Sequence, residues 1–181
     1  MSSRSAPRRA RRWLPIIRAI ASVSMTAMLL LFAVPSNAIS TGIDRDVLIT
    51  ATNAARRAKG LPFLSPNPLL TAAAQARAEE LVRRGYFAHE RPDGTSFATA
   101  VTASGYPFTR VAENLAMDFL HEAPMVDAWL ASPLHRGNFL GAAYEDIGIG
   151  ISYGIIRGAP STVVVQLLGQ APDALPTVSV P

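Results

Sequence analysis

Apolar residues recur at intervals of three and four in two segments after residue 40, a spacing that is typical of amphipathic helices. The first predicted helix begins at Asp44 or Asp46, which can cap its start, and runs to about Lys59, before Gly60. The same spacing places Arg56 and the basic residues that follow it toward solvent. The apolar positions are Val47, Leu48, Ala51, Ala54, Ala55 and Ala58.

A second helix is predicted to start at the cap Asn67, with Pro68 as its first residue, and to end at Gly85. Its apolar stripe is rich in alanine, which lets a neighbouring element approach closely. The stripe consists of Leu70, Ala73, Ala74, Ala78, Leu81 and Val82. Shorter helices are predicted over residues 96–103 and 124–131.

The pattern changes to that of strands near the end of the chain. Between residues 147 and 152, isoleucines alternate with glycine and serine, which predicts a half-buried strand. Residues 162–168 are β-branched and aliphatic, which indicates a central or well-covered strand. The linker between them contains Gly158 and Pro160, so the two strands most simply form an antiparallel hairpin. Helices followed by a small antiparallel sheet predict an α+β domain.

The first 38 residues have the composition of an export signal. An arginine-rich start leads into an uncharged run over residues 19–34, and Pro35 and the small residues Ser36 and Ala38 follow as at a cleavage site. The run is shorter than the roughly 20 residues that a spanning helix needs. We therefore expect a secreted protein, with an uncleaved N-terminal membrane anchor as the alternative. One domain is predicted over residues 39–170 and a flexible tail over residues 171–181.

The net charge of +4 belongs to the N-terminal segment. Six of the 17 basic residues and none of the 13 acidic residues lie in residues 1–38, which leaves a net charge of −2 on the rest. That balance argues against nucleic acid as a partner. The absence of cysteine excludes disulfides, thiolate metal ligands and a cysteine nucleophile. The sequence has no heptad repeat of the kind that indicates a coiled coil, and we expect a monomer.

Two histidines and a glutamate are the candidates for chemistry. His89 lies in a polar loop, Glu113 has small or apolar neighbours, and His135 follows a serine and a proline. A carboxylate in an apolar segment needs a partner when it is buried, because an unpaired buried charge is costly. These residue types suit a divalent metal or acid–base chemistry, although their spacing is not diagnostic. Pairing of Glu113 with Arg110 or Arg136 is the alternative.

Ser132 lies three residues before His135, which allows a nucleophile–base pair in which Glu113 orients the imidazole. A Ser-Pro pair more often begins a turn, so a structural role for Ser132 is the simpler interpretation. Asn114 and Asn138 are expected to hold backbone groups in place.

Several short segments follow one another in an order that resembles the CAP superfamily of cysteine-rich secretory proteins, antigen 5 and pathogenesis-related protein 1. The likeness is greatest to the cysteine-free CAP domains that bacteria secrete, and it runs from about residue 49 to residue 169. The segments include Gly60-Leu61-Pro62-Phe63-Leu64, His89-Glu90-Arg91-Pro92-Asp93-Gly94, Glu113-Asn114-Leu115-Ala116, Ser132-Pro133-Leu134-His135-Arg136-Gly137-Asn138-Phe139-Leu140 and Ile147-Gly148-Ile149-Gly150.

The resemblance implies a three-layer α-β-α sandwich with a large cleft that contains two histidines and acidic residues. It places His89, Glu113, Asn114, Ser132 and His135 in the cleft, with His89 and His135 as ligands of a divalent cation, often zinc. The second glutamate that is usual in the family falls on Ser132. Because one anion is missing, we expect weaker metal binding than a four-residue site would give.

The sequence leaves three functions open. The first is a secreted binding module whose cleft takes a cell-envelope, lipid or protein ligand, with or without a metal. The second is a hydrolase that uses a metal or the His and Glu side chains. The third is a purely structural polar network that fixes the cleft. The resemblance favours the first, and an enzyme is the less favoured alternative.

Overall fold

The computed structural model describes residues 42–173, which form five helices and four strands. The predicted signal, residues 1–38, and most of the predicted tail lie outside the described residues. None of the described helices is long and apolar enough to cross a membrane. The helices are α1 (Arg45–Arg57), α2 (Pro68–Arg84), α3 (Ala98–Ala103), α4 (Glu122–Ala131) and α5 (Pro133–Phe139). The strands are β1 (Ser65–Pro66), β2 (Arg110–Met117), β3 (Asp146–Ile156) and β4 (Ala159–Gln170).

The four strands form one sheet in the order β1-β3-β4-β2. Strands β3 and β4 are antiparallel neighbours, which confirms the predicted hairpin, and β4 lies in the interior of the sheet as its apolar run predicted. Strand β2 pairs with the other side of β4 and forms an edge. It is not among the predicted elements, because its buried Glu113 and Asn114 interrupt the apolar pattern.

Helices cover both faces of the sheet. Helix α2 packs on one face, where its stripe meets alternate residues of β4 such as Val163 and Leu167. Helices α1 and α4 and the end of α5 cover the other face, where Trp129 and Phe139 pack with Leu168. The predicted three-layer α-β-α arrangement is therefore confirmed.

Helix α2 is held at both ends as the sequence predicted. The Asn67 side chain accepts hydrogen bonds from the backbone N–H groups of Leu69 and Leu70 at 2.9 and 3.3 Å. Gly85 ends the helix with a φ of 67°, a conformation that favours glycine.

Helix α2 also rests directly on β3. A side chain at Gly148 or Gly150 would collide with the α2 backbone at Leu70 and Ala74 respectively. The two glycines therefore set the distance between helix and sheet, and this distance positions every residue that α2 contributes to the site.

Helix α1 starts at the predicted cap, where Asp44 accepts from the backbone N–H groups of Asp46 and Val47. The predicted apolar stripe of α1 is wrong in part. Val47 is 48% exposed, Ala54 and Ala58 are also exposed, and Arg56 is buried rather than solvated. The Arg56 guanidinium donates to the carbonyl oxygens of Pro62, Phe139, Gly141 and Tyr144. Because these carbonyls converge on one face of α1, they satisfy a cation that the periodicity alone placed outside.

The remaining helices follow the sequence in part. Helix α3 begins at Ala98, two residues after the predicted start, and α4 begins two residues before its predicted start, at Glu122. Helix α5, which carries His135, is not among the predicted elements. Its Pro133 is at a position that suits the first turn of a helix.

Candidate functional site

Glu113 lies on β2 with its side chain removed from solvent, and it has two partners. Its Oε2 accepts from Arg77 Nε at 3.0 Å, and its Oε1 lies 2.9 Å from His89 Nδ1. Because a carboxylate can only accept, His89 carries its proton on Nδ1. The expected alternatives, pairing with Arg110 or Arg136, are wrong; the cation is an arginine in the middle of α2.

Arg77 ties the histidine loop to the helix. Its side chain is fully buried, and besides Glu113 it donates to Tyr86 Oη and to the carbonyl oxygens of Ala88 and His89. Burial alone lowers the pKa of Arg77, but the charge of Glu113 and the hydrogen bonds to it and to Tyr86 raise that pKa above its usual value overall. The guanidinium therefore remains a fixed cation in the interior.

A second buried carboxylate extends the network. Glu80 accepts from Arg91 Nε at 2.9 Å, from Arg84 Nη1 at 3.0 Å and from Tyr86 Oη at 3.1 Å. Its burial raises the pKa of the carboxyl, but hydrogen bonds from Arg91 and Arg84 outweigh this and lower it overall. The loop that carries His89 is thus held to α2 through Arg77 and through Arg91.

His135 is brought to the same place by α5. The centroids of the His89 and His135 rings are 6.4 Å apart, with their planes inclined by 53°. Burial lowers the pKa of His135, and the nearby His89 lowers it further. His135 is therefore held in its neutral form near pH 7, which is the form that accepts a proton or binds a metal.

Asn114 and Asn138 fasten α5 to β2 behind the histidines. Asn114 is fully buried and donates to the carbonyl oxygen of His135 at 3.3 Å and to Gln166 at 2.8 Å. Asn138 donates to the carbonyl oxygen of Glu113 at 3.2 Å and to Asn114 Oδ1 at 3.0 Å. The expected role of both residues in holding backbone is confirmed, and Asn114 lies beneath the cleft as a support.

Ser132 lies between α4 and α5, and its side chain caps neither helix. Within residues 42–173, its hydroxyl makes no hydrogen bond to His135 or to any other residue. The nucleophile–base pair that the spacing allowed is therefore not formed in the structure.

Two shallow cavities share His89 and Phe97 and together form the cleft. One, of about 340 Å³, is bounded by β2 at Val111, Ala112 and Glu113 and by Leu134, Asn138 and Tyr144. The other, of about 290 Å³, is bounded by the histidine loop and Ser96. A larger cavity of about 510 Å³ lies between α2 and α3, and none of the five predicted site residues lines it.

The donor set of the cleft fits a divalent cation only in part. Among residues 42–173, no group of three or more His, Asp or Glu side chains is arranged to hold a metal. Both oxygens of Glu113 are already occupied, so the available donors are the two imidazoles. Two imidazoles are fewer protein ligands than the three or four of typical zinc sites, so the residues fit such a cation only in part.

Three polar groups of the site escape prediction from sequence: Arg77, Glu80 and Gln166. A signal for Arg77 exists, because it falls on the buried stripe of α2 at helical spacing from Ala73, Ala74 and Leu81. A cation on an apolar stripe implies an internal acid, and Glu113 is that acid.

Comparisons with known proteins agree with the fold. Residues 49–167 match the model of the cysteine-rich secretory protein family, CAP. The chain is 29% identical over 103 residues to protein YkwD of Bacillus subtilis (strain 168), which covers 57% of this chain and 40% of YkwD. The described fold thus coincides with the matched region.

Two solved structures show the same fold at low sequence identity. An extracellular protein containing a SCP domain from Bacillus anthracis str. Ames matches with a TM-score of 0.57 and 20% identity, over 69% of this chain and 39% of that one. An outer surface protein from Borrelia burgdorferi matches with a TM-score of 0.60 and 21% identity, over 70% of this chain and 92% of that one. The chain thus spans about two fifths of YkwD and of the Bacillus anthracis protein.

Proposed function

Because the chain belongs to the cysteine-rich secretory protein (CAP) family, we propose that it is an exported binding protein whose cleft around His89 takes a cell-envelope, lipid or protein ligand. The predicted signal over residues 1–38 supports export. The names of two structural relatives, an extracellular protein and an outer surface protein, support the same location.

The observation that carries the proposal is the contrast between the two ends of the His89–Glu113 pair. The carboxylate is sealed from solvent and held by Arg77, whereas 53% of the His89 side chain is exposed. Within the described residues, His89 Nε2 and both nitrogens of His135 have no hydrogen-bond partner. These nitrogens are open to solvent, because no buried side-chain nitrogen or oxygen among the described residues lacks a partner. The His89 imidazole thus lines the open cleft, and the His135 ring lies beside it at 6.4 Å without lining either cavity.

A hydrolase is the second candidate, and the fixed His89 tautomer is the observation that favours it. With Nδ1–H held by Glu113, the Nε2 lone pair of His89 is free to accept a proton from water. In the described part of the chain, no hydroxyl is hydrogen-bonded to either histidine, so a covalent route through a serine has no support. Hydrolysis of labelled casein that is lost in His89→Gln and retained in His121→Gln would favour this candidate.

A divalent cation is a further part of the proposal. His89 and His135 would hold it, and when bound it would supply a Lewis-acidic point for an anionic ligand group. Weak binding is expected, because Arg77 already neutralises the nearest carboxylate. Calorimetric titration of zinc at pH 7.5 and 5.5 tests this, since histidine ligands must be neutral to bind.

The binding proposal is tested with the full chain and three probes: peptidoglycan fragments, phosphatidylglycerol vesicles and a random-peptide library. At least one probe is expected to shift the imidazole NMR signals of His89 and His135 and to bind less well to His89→Ala and His135→Ala. His121→Ala is the matched control, because His121 is exposed and its side chain caps nothing. If all three variants bind every probe as well as the original chain does, the cleft is not the binding site.

A further inference from the structure

Strand β2 presents a free edge to the cleft. In its pairing with β4, Asp118 N donates to the carbonyl oxygen of Thr162, the residue directly opposite in the continued register. Because hydrogen-bonded pairs alternate along an antiparallel ladder, even-numbered residues of β2 bond to β4. The backbone N–H and C=O groups of Val111, Glu113 and Leu115 therefore point away from β4, toward the free edge of the sheet.

Most of this edge is already covered by side chains. The carbonyl oxygen of Leu115 accepts from Trp129 Nε1 at 3.0 Å, and the carbonyl oxygen of Glu113 accepts from Asn138 Nδ2 at 3.2 Å. Within residues 42–173, no side chain or strand covers the same groups of Val111. Of the three outward carbonyl oxygens, that of Val111 is therefore the one without a partner within residues 42–173, and we call the start of β2 the uncovered stretch.

This uncovered stretch is a wall of the cleft. Val111 lines the same cavity as His89, Phe97 and Tyr144. An extended chain that pairs with Val111 would therefore pass beside the His89 imidazole. It would also find apolar surface for side chains on one of its faces, because successive side chains of a strand alternate between faces.

The neighbouring charge indicates the kind of chain. Arg110 is exposed and forms no ion pair within the described residues. A residue opposite Arg110 on an added strand would lie within reach of its side chain, and opposite charges in such cross-strand pairs attract.

We propose that the cleft binds an extended peptide that carries an acidic residue and adds to β2 as a strand at Val111. The inference rests on the proposed binding function and names its ligand class. A peptide offers the backbone donor and acceptor that Val111 requires, which an acyl chain lacks. The short uncovered edge limits the pairing with Val111 to two hydrogen bonds, so side-chain contacts with Phe97, Tyr144 and Arg110 supply the selectivity.

The test selects binders to the full chain from a random-peptide phage library and synthesises one selected peptide. Val111→Pro removes the outward N–H, and proline is tolerated at such a position on an edge strand. Val111→Ala is the matched control, because it keeps that N–H while shortening the side chain. Val111→Pro is expected to weaken binding about tenfold and Val111→Ala by no more than about twofold. Equal affinity of the two variants would overturn the proposal.

A second measurement keeps the test decisive if Val111→Pro does not fold. The selected peptide is N-methylated at one residue at a time. Strand addition predicts that methylation of one residue, the one whose N–H pairs with the Val111 carbonyl oxygen, abolishes binding, whereas methylation of its two neighbours does not, because their N–H groups point away from β2. Uniform tolerance of methylation would contradict strand addition, and so would selected sequences without enrichment in Asp or Glu.

The two proposals fail in different ways. If the library yields no binder but vesicles or peptidoglycan fragments bind in a His89-dependent manner, strand addition is wrong and the binding function stands. If peptide binding depends on the Val111 N–H but not on His89 or His135, the edge is the site and the role of the histidines is wrong.

Discussion

Arg77 Nε lies 3.0 Å from Glu113 Oε2, and both side chains are completely removed from solvent. The pair joins the middle of α2 to the edge strand β2 and thereby fixes the carboxylate that holds His89. Neither charge is stable in the interior alone, since removing one partner leaves the other buried without compensation.

Arg77→Met is accordingly expected to lower the free energy of unfolding by about 3–5 kcal/mol. Urea denaturation followed by circular dichroism measures this. Arg83→Met is the matched control, because Arg83 is exposed on the same helix and should change stability by less than about 0.5 kcal/mol. Equal effects of the two substitutions would mean that the buried pair contributes nothing special.

Arg56→Met should also destabilise the protein, by about 2–4 kcal/mol, for a different reason. The substitution leaves buried carbonyl oxygens at the end of α5 and in the segment that follows without their donor. Thermal unfolding of Arg56→Met against Arg57→Met compares a buried arginine with its exposed neighbour. Similar melting temperatures would contradict the role of Arg56.

The lowered pKa of His135 predicts a pH dependence of stability. Burial, with the nearby charge of His89, holds the folded-state pKa below the ordinary value of about 6.5, so the unfolded state binds more protons in this range. The stabilisation is present above pH of about 6.5 and is lost as the pH falls through the folded-state value. The free energy of unfolding should therefore fall more steeply between pH 7 and 5 in the original chain than in His135→Gln. Parallel pH profiles would show that His135 is not the cause.

Gly148→Ala tests the contact between α2 and β3. The added methyl group collides with the backbone at Leu70, so we expect a loss of more than about 2 kcal/mol in unfolding free energy. Gly137→Ala is the control, because a side chain there meets nothing and Gly137 lies within helix α5. That change should raise stability by up to about 1 kcal/mol. Opposite signs for the two substitutions are the expected result in chemical denaturation.

The elements that were predictable from sequence are those whose signals are local. Helix α2 contains its cap, its first proline and its terminal glycine within its own segment, and the β3–β4 hairpin shows an alternating and then a continuous apolar pattern. Strand β2 gives no such signal. Its Glu113 and Asn114 are stable in the core only because Arg77 and Gln166, which are 36 and 52 residues away in sequence, meet them there.

The candidate site follows the same division. The sequence spacing of His89, Glu113 and His135 was not enough to predict that they lie close together. The family resemblance predicted it, and in the structure the two imidazole rings lie 6.4 Å apart. Periodicity did place position 77 on the buried stripe, but the preference of arginine for solvent concealed its role. Arg56 is concealed in the same way, because the carbonyls that satisfy it come from distant parts of the chain.

The glycines of β3 have an influence that reaches beyond the core they pack in. They line neither cavity of the cleft and carry no reactive group. They nevertheless fix the distance of α2 from the sheet, and Arg77 on α2 positions Glu113 and, through it, the imidazole of His89. The orientation of the His89 ring thus depends on the distance between α2 and β3. A substitution of Gly148 or Gly150 during evolution would shift α2 and would therefore require compensating changes in the cleft. Two glycines without a side chain thus constrain which ligands the cleft can bind.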